Sequence, residues 1–183
     1  PKCMTQIAPN ETILSRQLRM LADFEVDQVV ITTGRFASVL CEYCKSLDLP
    51  LQYTFVHNEN YEQTNYIYSL YLAKDELQND DIILMHGDLV FENCVFEKVL
   101  EQKESCMVAS STAKLPEKDF KAVIQDGRIT KVGIEFFDHA QAAQALYHLK
   151  KEDWKVWMDQ IEAFCQSGKT GVYAENAFNE VSE

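Results

Sequence analysis

An apolar run at residues 82–85 is followed at once by His86-Gly87-Asp88. In open parallel sheets ligands bind beyond the carboxyl ends of the strands, so Asp88 stands where a site forms. A carboxylate there, after a glycine (Gly87) that lets a ligand approach the backbone, suits a hard cation such as Mg²⁺ bound to phosphates. The plain alternative is a loop aspartate or the cap of the next helix. A second stretch, residues 58–69, is rich in amide, hydroxyl and phenol groups and leads from a strand end into a helix. Such groups can read a base edge and a ribose, or simply form a polar loop capped by Thr64 or Asn65. Lys2 is, by its chemistry alone, an exposed lysine.

Other constellations carry less. Cys41 and Cys44 fall within a helical pattern with no second pair and no nearby histidine, so they read as packing rather than as a redox or zinc site. Trp154 and Trp157 read as helix core. The four histidines, His57, His86, His139 and His148, have no ligand spacing, and no two of the six glycines lie two apart, so no glycine-rich phosphate loop is present in this sequence.

The elements that must position these groups follow from hydrophobic period. Residues 12–24 place Ile13, Leu14, Leu18, Leu21 and Phe24 on one helical face, with Asn10 or Thr12 as cap. The β-branched run Val29-Val30-Ile31, closed by Gly34, reads as a buried strand meeting a tight turn. Helix at 36–47, strand at 51–57, helix at 66–77, strand at 82–85, helix at 94–102 and strand at 106–109 continue the alternation. That rhythm predicts a parallel sheet with helices on both faces. Beyond residue 110, strands at 120–124 and 129–134 around Asp126-Gly127 predict an antiparallel hairpin. A strand at 142–149, a helix at 151–165 and a shorter helix at 173–181 complete the chain.

The 183 residues suit one domain, with no repeat, linker or low-complexity tract. Seventeen Lys and Arg against 29 Asp and Glu give a net charge of -12, which argues against duplex nucleic acid and anionic membrane as partners. No apolar run approaches the roughly 20 residues of a bilayer span. The six scattered cysteines predict free thiols and a cytoplasmic protein.

Pro1-Lys2, the strand ending Ile31-Thr32-Thr33-Gly34, the run Asn65-Tyr66-Ile67-Tyr68-Ser69-Leu70-Tyr71 and Gly87-Asp88-Leu89-Val90-Phe91 come in one order along the chain. In that order they resemble the nucleotidyltransferases that activate small phosphates and sugar phosphates, and most closely the bacterial phosphocholine cytidylyltransferases. The resemblance covers essentially the whole chain. It implies a Rossmann-like, three-layer α/β fold with a mixed, mainly parallel sheet and an antiparallel extension on the acceptor side. It also implies that Lys2 contacts phosphates during transfer, that Asp88 holds the catalytic Mg²⁺, and that Asn65 and Ser69 lie beside the cytidine. Phe120, Tyr173 and Glu175 align with the rings and carboxylate that hold the acceptor's quaternary ammonium. The partners implied are CTP and a small phosphorylated acceptor.

The sequence departs from that pattern in three places. The resemblance places a central strand and a glycine-rich, Arg-bearing loop before Pro1, and a second metal-binding aspartate beyond Glu183; Tyr66 stands where many relatives have asparagine. The expectation is a protein longer at both ends, and for this chain a hole in the core with two unpaired strand edges. Two function classes follow: a CTP-dependent cytidylyltransferase, with phosphocholine, 2-aminoethylphosphonate or a sugar 1-phosphate as acceptor, or a non-catalytic nucleotide-binding module.

Overall fold

The computed structural model describes residues 1–182; Glu183, the last residue of the domain expected over 1–183, lies outside them. A short 3₁₀ turn at Lys2–Met4 and a small hairpin of β1 (Gln6–Ala8) and β2 (Glu11–Thr12) lead into α1 (Ile13–Asp23). Of the two cap candidates, Thr12 is the one used. Its Oγ1 accepts from the Ser15 amide at 3.1 Å while Ser15 Oγ accepts from the Thr12 amide at 2.9 Å, so both orphan donors are satisfied. Asn10 instead takes a positive φ of 59° in the hairpin turn.

The alternation then unfolds as β3 (Gln28–Thr33), α2 (Ala37–Ser46), β4 (Gln52–His57), α3 (Tyr66–Leu72), α4 (Lys74–Leu77), β5 (Ile82–Met85), α5 (Asn93–Leu100) and β6 (Cys106–Ser110). The single helix expected at 66–77 is broken at Ala73. β7 (Lys121–Gln125) and β8 (Arg128–Gly133) form the predicted hairpin, with positive φ at both Asp126 and Gly127. β9 (Ala140–Leu149), α6 (Lys151–Gln166) and α7 (Ala174–Phe178) follow. The last helix is shorter than 173–181 because the chain is drawn onto β8. Asn179 exchanges two hydrogen bonds with the Val132 backbone, at 2.7 and 2.9 Å, and the Ser182 hydroxyl donates to Thr130 O.

The three-layer α/β architecture is the one anticipated, but its parallel section is shorter than the strand–helix rhythm implied. β3 and β4 pair in parallel from Gln28↔Gln52 to Thr33↔His57. The larger sheet is organised by β9, which runs antiparallel to β5 and β6 and, near its start, to β7. β5 and β6 therefore run the same way but are not neighbours. Side chains alternate along β5: Ile82 and Leu84 join the core with α3, α6 and α7, whereas Ile83 and Met85 join the core with α1, α2 and α5. Among the described residues no backbone hydrogen bond joins β3 to β5, so each keeps one unpaired edge and the two sheets meet through the side chains of the second core.

Trp154 is fully buried in the first core, and its indole nitrogen donates to Leu77 O at 3.1 Å, tying α6 to the end of α4. Trp154→Ala removes both packing and that bond. A loss of about 3–5 kcal/mol in unfolding free energy is expected from urea denaturation, and a loss below 1 kcal/mol would show that the site collapses without a cavity.

Candidate functional site

β5 ends at Met85, and His86-Gly87-Asp88 follow at the carboxyl end of the sheet, as the sequence suggested. Asp88 does not cap the next helix, since α5 begins after Glu92, which leaves its carboxylate free for other work. The 3₁₀ turn brings Lys2 to the same place, with Nζ 3.8 Å from Asp88 Oδ2, both side chains reaching solvent. The two residues are far apart in sequence and meet because α1 packs its apolar face beneath β5. Gln17 of α1, 5% exposed, fixes the approach by donating to the carbonyls of His86 and Leu89 at 3.0 and 2.9 Å.

These groups open onto a cavity of about 330 Å³ lined by Lys2, Thr32, Tyr66, His86, Gly87 and Asp88, with Leu84 and Met85 among its apolar walls. Both C-terminal strand ends, of β3 and of β5, thus face one hollow. A Cβ at Gly87 would meet only Cys3, at 3.5 Å, so the fold itself does not require glycine there. Cys3 also lines the cavity; burial pushes its thiol up, so it stays protonated. Cys44 is completely buried in the core and pushed up to about 11, chiefly by burial, in line with the packing reading, whereas Cys41 is only half-buried. All six cysteines are free thiols.

The polar stretch before α3 is organised from within. Asn58, 2% exposed, donates to Thr64 Oγ1 at 3.0 Å and to Ser69 Oγ at 3.1 Å, and accepts from the Asn60 amide at 2.9 Å. Asn65 caps α3 by accepting from the Tyr66 amide at 2.7 Å. The residues of α3 that line the cavity are Tyr66 and Leu70, one helical turn apart; Asn65 and Ser69 are not among its walls.

The structure brings the residues expected to hold an acceptor together in an unexpected order. Phe120 and Tyr173 meet edge to face with ring centroids 5.2 Å apart. Phe120 also approaches His86 at 6.3 Å, and His86 stands 4.8 Å from Tyr66, again edge to face. Glu175 lies behind these rings at 1% exposure. One of its oxygens accepts from the Tyr66 phenol and the other from the Tyr147 phenol, the latter at 2.6 Å. Both phenols are raised well above their ordinary range, first by burial and then by the Glu175 charge, so they remain donors. Sequence reasoning missed Tyr147 and His86 in this cluster. Tyr147 sits in an apolar strand pattern that gives no sign of a polar partner, and His86 was visible only as the residue before Gly-Asp.

Comparison with known proteins places the chain. Residues 2–126 match a family described as a domain of unknown function, DUF6564. The chain belongs to that family. This DUF6564 chain is 27% identical over 140 residues to the CTP:phosphoglutamine cytidylyltransferase of Campylobacter jejuni, a match covering 72% of the chain and 53% of that protein. It is 29% identical over 159 residues to the CMP-5'-(3-aminopropyl)phosphonate synthase of Streptomyces rubellomurinus, covering 82% of the chain and 25% of that protein. The chain therefore spans about half of one curated relative and a quarter of the other. Among solved structures, the inositol-1-phosphate CTP transferase of T. maritima superposes with a TM-score of 0.78 at 18% identity, over 99% of this chain and 72% of that one. The CTP:phosphocholine cytidylyltransferase of Streptococcus pneumoniae superposes with a TM-score of 0.67, also at 18% identity, over 98% of this chain and 75% of that one. The DUF6564 fold is thus the Rossmann-like α/β fold of nucleotidyltransferases.

The buried phenols give a prediction with a definite sign. A phenol whose folded pKa is raised contributes stability that is present below the unfolded value of about 10 and is lost as pH rises toward the folded one. Melting temperature should fall between pH 9 and 11, and should fall less steeply in Tyr66→Phe/Tyr147→Phe. Equal slopes for both proteins would show that these phenols do not titrate with folding.

Proposed function

We propose that this chain is the core of a CTP-dependent cytidylyltransferase that transfers CMP to a small phosphorylated acceptor and releases pyrophosphate. The observation that carries the reading is the meeting of Lys2 and Asp88 at a cavity outside the strand ends. That both curated relatives act on CMP-linked chemistry supports it. In the reaction, an oxygen of the acceptor's phosphate or phosphonate forms a bond to the α-phosphorus of CTP, and the bond from that phosphorus to the bridging oxygen breaks, so that pyrophosphate leaves with the electron pair. Such a transfer needs charge neutralisation and in-line positioning more than covalent help.

Lys2, on an exposed stem, supplies positive charge to the phosphates. No cluster of three or more His, Cys, Asp or Glu that could cage a metal exists among the described residues. Asp88 is instead a single half-exposed carboxylate, which suits Mg²⁺ because that ion is commonly held by one or two carboxylates together with substrate phosphates and water. Mg²⁺ held there would neutralise charge on the transferring phosphoryl group. Gly87, which the fold does not need as glycine, would leave room for the nucleotide. Asn65 and Ser69 would act on the base side, the former as the cap that sets Tyr66 and the latter as a hydroxyl oriented by Asn58.

Phosphocholine is the acceptor we favour, with Phe120 and Tyr173 as the aromatic wall; 2-aminoethylphosphonate is the second candidate, supported by the aminoalkylphosphonate product of one relative. In this reading the enzyme acts in the cytoplasm. Among the described residues no helix is long and apolar enough to cross a membrane.

Asp88→Ala in the full-length protein should abolish pyrophosphate release with Mg²⁺ and CTP while leaving the melting temperature unchanged; full activity would remove the metal assignment. Lys2→Ala should lower kcat by roughly 10² or more, the scale of losing one donor to developing charge. An effect confined to KM would limit Lys2 to binding. Equal turnover of all four nucleoside triphosphates would remove the cytidylyl reading and keep the transferase one. Nucleotide binding with no pyrophosphate release from any acceptor would favour the non-catalytic module.

A further inference from the structure

Lys121, the first residue of β7, is a fully buried lysine. Among the described residues no carboxylate oxygen lies within 4.0 Å of its ammonium. Nζ instead donates to Pro116 O at 2.6 Å and to Asp119 O at 3.0 Å, and it stands 4.3 Å from the centre of the Phe137 ring. Burying a charge is costly unless such partners replace water, so the ammonium keeps its place only while those carbonyls face it. The partner strand leaves room for this nest. Lys121 lies opposite Gly133, and the chain after β8 folds back across that glycine, where a Cβ would meet the Glu135 carboxylate at 2.6 Å and the Phe136 ring at 2.8 Å. Among the described residues, the two bonds from Lys121 are the only hydrogen bonds made to residues 114–119. That segment delivers the chain to Phe120. β5 and β7 lie end to end along one edge of β9, where the His86 amide donates to Ala145 O and the Ala143 amide donates to Phe120 O, both at 3.0 Å. No backbone bond joins the end of β5 to the start of β7, and the contact across the break is that of the His86 and Phe120 rings. Where Phe120 stands against His86 therefore depends on how the preceding segment is held.

We propose that Lys121 is a positioning residue for acceptor binding: its buried ammonium anchors residues 114–119 and thereby sets Phe120 beside His86 and Tyr173. This rests on the reading of Phe120 as part of an acceptor site. Lys121 itself touches no substrate. Side chains alternate along β7, so Phe120 and Ala122 face the small core with Val132 and Ala143, while Lys121 points to the other side of the sheet. With an apolar side chain in its place, the carbonyls of Pro116 and Asp119 regain hydrogen bonds only from water. Residues 117–119 are exposed, so the segment can lift from β7 without opening either large core. The loss then falls on the wall that the segment sets and not on the fold.

Lys121→Met, which keeps length and bulk and removes the charge, tests this in the full-length protein by two readouts. Trypsin cuts after lysine, and Lys114 and Lys118 both lie in the anchored segment. Native-state cleavage at these two sites, followed by mass spectrometry, tracks the population of the open segment. It should be about tenfold faster in the variant, the scale of losing a hydrogen bond to a charged group. In steady-state assays the KM for phosphocholine should rise by about tenfold while the KM for CTP stays the same. Phe120→Ala should also raise the phosphocholine KM, and adding Lys121→Met to it should change that KM little, because the lysine acts through the ring. Unchanged cleavage overturns the anchor. Faster cleavage with an unchanged phosphocholine KM, an equal rise in the CTP KM, or additive effects of the two substitutions overturns the positioning role. Phe137→Ala, at a residue 51% exposed, uncovers the ammonium and should move both readouts the same way by about threefold; no shift there overturns the proposal when Lys121→Met does not fold. Where the wild type releases no pyrophosphate from CTP, the transferase reading fails and calorimetry with phosphocholine replaces the KM comparison. A wild type that binds no phosphocholine removes the acceptor site and this proposal with it, whatever the trypsin result.

Discussion

A carboxylate taken out of water fixes three separate parts of this fold at once. Glu175 sits in the first turn of α7, Tyr66 opens α3 and Tyr147 lies within β9, and the two phenol donors hold all three segments to one point. Burying a charge is costly unless hydrogen bonds replace its hydration, and bonds to charged groups contribute about 1.5–3 kcal/mol each. The position is therefore sharply defined, because small displacements lose a charged hydrogen bond in a region water does not reach. β9 carries the constraint outward. Tyr147 lies opposite Leu84 of β5 on one side and Met107 of β6 on the other. Leu84 is two residues from His86 and four from Asp88, so the depth of the buried carboxylate and the place of the exposed one are set by the same ladder.

Much of the layout could be read along the chain because it depends on local period. The stripe Leu14, Leu18, Leu21 specifies α1, the stripe Trp154, Trp157, Met158, Ile161 specifies α6, and Asp126-Gly127 specifies its hairpin without reference to anything distant. Asp88 was legible for the same reason, a carboxylate directly after an apolar strand. What was not legible depends on pairing across the chain. The place of β9 between β5 and β6 follows from which antiparallel edges meet, and neither edge announces its partner. Tyr66 and Tyr147 look like ordinary strand and helix aromatics until Glu175 is brought between them. Glu175 itself was expected, from the resemblance, to hold the acceptor's ammonium, and nothing in the short run around it shows that α7 would turn it inward onto two phenols.

The division of the sheet bears on the cavity in a second way. Residues along β3 and β5 are largely half-buried, although both strands lie between helical layers. Val29 and Ile31 from β3 and Ile83 and Met85 from β5 pack into one core with Leu18 and Phe96, so the layers close around the two strands without a backbone ladder between them. Side-chain packing is non-directional and tolerates a change in spacing that a ladder of hydrogen bonds would resist. Strand edges with unpaired amides and carbonyls also accept a further strand readily. The seam between β3 and β5 is thus closed by side chains rather than by a backbone ladder, and the cavity opens at its carboxyl end, between Thr32 and Met85.

The two ends of the cavity therefore differ in how many contacts hold them. On the β9 side, His86 is braced by its amide bond to Ala145 O at 3.0 Å, by Gln17 on its carbonyl, and by the rings of Tyr66 and Phe120. On the β3 side, Lys2 reaches in from a short turn on an exposed stem, and its only partner among the described residues is Asp88 at 3.8 Å. His86 Nε2 is buried with no hydrogen-bond partner, so the braced wall also holds one polar atom that its surroundings leave unsatisfied. Such an atom is costly unless something in the cavity pairs with it.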